Sequence, residues 1–142
     1  MTYRFVDDVA TADCAVEVVG GSLEEVFAEA GRALMSCMTD IQAVNSEKRW
    51  EIELSEGNLL ELFYAWLSEL VYIKDTENVL FSDFEIQSID ADSPSTLRAE
   101  AVGEAIDHSR HDIAVDVKAV TMHKFEITKS AVGWKAFIVF DL

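Results

Sequence analysis

The stretch LLELFYAWLSELVYIK, Leu59 to Lys74, constrains the fold more than any other part of the chain. Leu59, Leu62, Phe63, Trp66, Leu67, Leu70 and Ile73 recur at the 3.6-residue period of an α-helix. Their stripe is wide, as expected of a central helix packed against a sheet. Asn58 in front of it and Glu61 three residues later have the chemistry of a helix start, each side chain able to satisfy an orphan amide. The aromatic residues inside the stripe are read as core rather than as a cofactor box.

An earlier helix is marked in the same way. Ser22 and Glu25 form the ends of a capping box, and Leu23, Val26, Phe27, Ala30, Leu34, Cys37 and Met38 follow with helical spacing. Between and around the helices the period changes to two. Cys14 to Val19 reads as a strand closed by Gly20 and Gly21, and Trp50, Ile52 and Leu54 form one face of another. After Ile73 only strand signals remain. In VLFSDFEI, Val79 and Phe81 fall on one parity and Phe84 and Ile86 on the other, so a bulge is expected near Asp83. A turn at 93–95 leads to Leu97, Ala99 and Ala101 in alternation, then to a polar loop over 103–112. VDVKAVTMHKFEIT and VGWKAFIVF close the chain as a hairpin turned at KSAVG, with Trp134, Ala136, Ile138 and Phe140 on one face. The expectation is a single α+β domain over 1–142, two helices packed on a largely antiparallel sheet of about six strands.

Charge narrows the function. Eleven basic residues stand against 27 acidic ones, a net charge of −16. Such a surface repels phosphate backbones, which disfavours direct nucleic-acid binding and suits cations, a basic protein partner or plain solubility. No apolar stretch is long and uncharged enough to span a bilayer. The start of the chain lacks the apolar core of a signal peptide, so a soluble cytoplasmic protein is expected. Cys14 and Cys37 show no metal-type spacing and lie on apolar faces, where cysteine acts as a small hydrophobe.

Four stretches could carry chemistry. DDVATAD, Asp7 to Asp13, precedes the first strand and is either a turn or a carboxylate held at the lip of a sheet. The final FDL sets Asp141 beside the carboxylate of Leu142. Three carboxylates brought together would not all stay ionised without a cation, and hard oxygens suit Ca²⁺ or Mg²⁺ better than Zn²⁺. DHSRHD holds His108 and His111 between Asp107 and Asp112, which could bind a transition metal but reads better as a solvated loop. Lys118 is a cation within an apolar strand, ordinarily an outward-facing, solvated residue. No nucleophile elbow, phosphate loop, HExxH or CxxC cluster is present, and no spacing marks a catalytic triad, so the chain is not expected to be an enzyme in its own right.

Taken in order, these stretches resemble the archease family. Thr11, Ala12 and Asp13 match the end of its Asp-His-Thr-Ala-Asp opening, although Ala10 stands where the family has histidine. LMSCMTD, LLELFYAWLSELVY, a loop with Gly103, Glu104, Asp107, Arg110 and His111, then VKAVTMHKFEI and a terminal VFDL complete the match across essentially the whole chain. The resemblance implies an accessory protein of an RtcB-type tRNA-splicing RNA ligase, one that promotes guanylylation of the ligase and multiple turnover. It implies a metal site, with calcium as its usual occupant and Mg²⁺ or Mn²⁺ as alternatives, made by Asp13, Asp141 and Leu142. It further implies a ligase-activating role for Lys118. A second function it implies is that of an acidic chaperone for a tRNA-modifying enzyme such as a tRNA cytosine methyltransferase. A small metal-dependent hydrolase is a third reading, and would need a base and a positioned water for which no residues stand out.

Overall fold

The computed structural model describes residues 2–6 and 13–142. Residues 7–12 of the acidic opening, with Asp7, Ala10, Thr11 and Ala12, lie outside the described residues. The elements in order are β1 (Thr2–Val6), β2 (Asp13–Gly20), α1 (Leu23–Ser36), a 3₁₀ turn (Ile41–Ala43), β3 (Lys48–Glu56), α2 (Leu59–Glu77), β4 (Val79–Asp90), β5 (Ser95–Ala105), β6 (Ala119–Ser130) and β7 (Gly133–Asp141).

Both helix starts follow from their caps. The Ser22 hydroxyl accepts the Glu25 amide at 3.2 Å, and the Glu25 carboxylate accepts the Gly21 amide at 2.7 Å, one residue earlier than a standard capping box. Asn58 accepts the Glu61 amide at 2.9 Å. The second helix ends on Asn78 in the left-handed region (φ 53°), which asparagine adopts more readily than most residues.

The strands form two sheets, in the orders β1-β2-β7-β6 and β3-β5-β4. Every pairing is antiparallel. The α+β class with two helices stands, and the described residues form seven strands, where about six were expected, divided between two sheets. The unforeseen strand is β1. Its five residues are half-buried or exposed, so it lacks the clean alternation that betrays a strand, and it exists through pairing with β2. A second difference lies after β5. Strand pairing runs on to Ala105, and 115–118, read as the beginning of a strand, is irregular chain ahead of β6.

Helix α1 packs on β4 and β2, and α2 packs on β6 and β3. Phe27, Phe63, Trp66, Phe81 and Phe140 are fully buried in the core. The Trp66 indole donates to the Phe27 carbonyl at 2.9 Å, so its one polar group is satisfied. The bulge expected near Asp83 is present as a register shift between Phe81 and Asp83. Leu97, Ala99 and Ala101 are buried as their alternation implied.

Candidate functional site

In the β2–β7 ladder Asp13 stands directly opposite Asp141. Directly opposed residues of antiparallel strands project from the same face, with Cβ atoms about 5 Å apart. The register is fixed by burial. Cys14 faces Phe140, Val16 faces Ile138 and Val18 faces Ala136, and a slip of one residue would turn this apolar set outward. The apolar pattern of the two strands therefore brings together two carboxylates that are 128 positions apart in sequence. Asp13 is half-buried and Asp141 exposed.

Lys118 reaches the same place by another route. Its backbone amide donates to the Asp141 carbonyl at 2.7 Å, and Ala119 then pairs with Asp141 as β6 begins. Its side chain is exposed, and none of the ion pairs among the described residues involves it. The chain ahead of Lys118 has no strand neighbours to fix it and is held at intervals instead. The Thr39 hydroxyl donates to the Asp112 carbonyl at 2.9 Å, and the Ala114 amide donates to the Met38 carbonyl at 2.9 Å. Lys74, buried in α2, donates to Asp116 at 2.8 Å and to Asp75 at 2.5 Å. Val117 is buried.

The loop expected to be solvated is pinned on one side by a buried carboxylate. Glu104, 2% exposed, accepts the Asn45 amide at 2.6 Å, pairs with Arg110 and accepts from His111 Nε2 at 2.9 Å. His111 Nδ1 accepts the Asp107 amide at 2.9 Å, which leaves the ring proton on Nε2, pointing at Glu104. Burial would push the Glu104 carboxyl up, but hydrogen bonds from Asn45, Arg110 and His111 outweigh it and hold it down at about 2. Asp107 closes the turn by accepting from the Ser109 hydroxyl and amide, and these bonds hold its carboxyl below the usual range. His108 is exposed, whereas His111 is only 3% exposed. The two histidines therefore do not act together, and His111 is a fastening rather than a free ligand.

The cysteines correct another expectation. Cys14 and Cys37 are joined in a disulfide, with Cα atoms 6.5 Å apart. Cys14 follows Asp13 directly, and Cys37 caps the C-terminus of α1. Both do lie against the apolar core, as their spacing implied, but those two apolar faces are the same place. Periodicity reports the face of an element and not which faces meet, so no signal in the sequence revealed the bond.

Asp13 and Asp141 supply two hard carboxylates on one face, a donor set that fits an oxygen-loving cation. Among the described residues no group of three or more His, Cys, Asp or Glu side chains is close enough to hold a metal.

Known proteins match the chain over nearly its whole length. A profile of the family described as "Archease protein family (MTH1598/TM1083)" matches residues 3–142. Protein archease of Methanopyrus kandleri is 37% identical over 132 residues, covering 93% of this chain and 94% of that one. The solution structure of Methanobacterium thermoautotrophicum protein 1598 superposes with a TM-score of 0.81 at 35% identity, covering 99% and 98% of the two chains. A crystal structure of an archease from Thermotoga maritima shares the fold, with a TM-score of 0.60 at 16% identity over 94% and 93% of the chains. The chain belongs to the archease family.

Proposed function

We propose that this protein is a cytoplasmic, non-catalytic activator of an RtcB-type tRNA-splicing RNA ligase, acting through the lip formed by Asp13, Asp141, Leu142 and Lys118. The observation that carries the reading is the pairing of Asp13 with Asp141, with the Lys118 amide hydrogen-bonded to the same Asp141. Four residues from three distant parts of the sequence converge on one end of one sheet.

Ca²⁺, or Mg²⁺ or Mn²⁺ in its place, would be held by the carboxylates of Asp13 and Asp141 with the end of the chain at Leu142. Bound there, the cation would offset the repulsion of the paired carboxylates and offer a positive centre to an incoming phosphate or carboxylate. The exposed Lys118 side chain adds a cation at the same end of the sheet. The net charge of −16 favours a partner with a basic channel and opposes independent binding of RNA. Multiple-turnover ligation of RNA by a cognate ligase is the direct test. Wild-type protein should convert a stalling ligase into a recycling one, and Asp13→Ala, Asp141→Ala and Lys118→Ala should each lose most of that effect. Full activity in all three variants would exclude the lip.

A second reading has a specific support in the Thermotoga maritima archease, which is described as a possible chaperone. An acidic chaperone of a basic tRNA-modifying enzyme, such as a tRNA cytosine methyltransferase, would lose function gradually as acids are neutralised anywhere on the surface. The lip would have no special weight in it.

A further inference from the structure

Strand β6 leaves its partner for a stretch. Thr121 pairs with Val139 and the next paired residue, Glu126, faces Phe137, so five steps along β6 match two along β7. Inside this long bulge Lys124 sits in the left-handed region (φ 53°), a conformation that costs a non-glycine residue about 1 kcal/mol. The distortion sorts two side chains. Phe125 turns inward, 5.4 Å from the Phe63 ring and 5.6 Å from Tyr64, while Met122 is thrown outward and is 58% exposed.

Met122 forms one wall of a groove whose other lining residues are Glu56 at the end of β3 and Glu61, Tyr64, Ala65 and Ser68 along α2. One turn beyond Ser68 the same helical face presents Tyr72, which is 62% exposed. The floor is apolar and adaptable, with methionine and tyrosine prominent, and the residues at its edge are acidic. Among the described residues no lysine or arginine lines it.

We infer that this groove is a docking site for a basic amphipathic helix of a partner protein, separate from the Asp13–Asp141 lip. Charge complementarity selects the partner, because a helix with an apolar stripe and flanking lysines or arginines would meet both Glu56 and Glu61. The mode of binding follows from the two walls. Helix α2 has no free backbone edge, β3 reaches the groove only through its last residue, Glu56, and the bulge interrupts the edge of β6, so an added strand would find no continuous ladder. Recognition must therefore run through side chains, as it does when a helix lies in a groove.

The test uses a synthetic leucine–lysine amphipathic helix as ligand and protein labelled with ¹³C at its methionine methyl groups. Met35 and Met38 are buried, so Met122 is the reporter exposed to solvent among the described methionines. Saturable movement of the Met122 signal is expected, with Met35 and Met38 unchanged. By calorimetry, the double variant Met122→Lys/Tyr72→Lys should weaken binding about tenfold or more. The charge-matched pair Glu51→Gln/Glu85→Gln, at exposed positions of β3 and β4 outside the groove, should change it less than twofold. The inference is overturned if the two pairs weaken binding equally, since charge at large would then explain it. It is also overturned if a leucine–glutamate helix binds as well, or if the Met122 signal moves with protein concentration alone, which would make a second copy the occupant.

Discussion

Glu104 carries its negative charge in a place almost closed to water, and its surroundings are arranged around that charge. Its oxygens take donors from Asn45, Arg110 and His111, and Arg110 also donates to the Ala43 carbonyl at 3.0 Å. One side chain thus joins the 3₁₀ turn to the loop that leads towards Lys118. Replacing Glu104 with Gln puts an amide group where only acceptors fit, and should cost about 2 kcal/mol at pH 7 in urea unfolding. The pH dependence has a definite sign. The folded carboxyl lies at about 2, below its ordinary 4.5, so its contribution is complete above 4.5 and is lost as pH falls towards 2. The stability gap between wild type and Glu104→Gln should therefore narrow across that window and stay flat between pH 5 and 8. A gap that held constant down to pH 2 would mean the carboxylate is not the stabilising form.

At the scale of elements, β5 holds a position with no room for a side chain. Gly103 lies where β4 bulges, and a Cβ placed there would sit 2.0 Å from the Leu80 carbonyl oxygen. The glycine is needed for this close approach of two backbones. Gly103→Ala should destabilise the protein by about 3 kcal/mol, visible as a lower denaturant midpoint at unchanged slope. Elements such as β5 and α2 were legible in the sequence because their own side chains carry a period. Asn58, Ser22 and the parity change around Asp83 marked boundaries and a bulge for equally local reasons. What stayed hidden depended on contact between elements. The strand β1 is made by β2, the chain over 112–118 is fastened by Met38, Thr39 and Lys74, and His111 is buried against Glu104. The pairing of Asp13 with Asp141 is of the same kind. Each aspartate could be marked as a candidate from its place next to a strand end, but only resemblance to archeases linked the two in sequence.

For the molecule as a whole, the bond between Cys14 and Cys37 changes which parts are independent. It ties the start of β2 to the end of α1, and the same end of α1 holds the chain over 112–114. Closing a loop with a sequence separation of 23 should stabilise the oxidised protein by about 3 kcal/mol, mostly by restricting the unfolded chain. For a chain of 142 residues that corresponds to a melting temperature about 10 °C lower after reduction, measurable by calorimetry with and without a reductant. An unchanged melting temperature would show that the unfolded chain gains nothing from being released. The bond also alters what kind of object the polypeptide is. Reduced, it is a line; oxidised, it is a ring with two tails, the short one leading into β1 and the long one carrying everything from Met38 onward. A single gene can therefore yield two molecules with the same residues and different connectivity, and the compartment in which the chain is made decides between them.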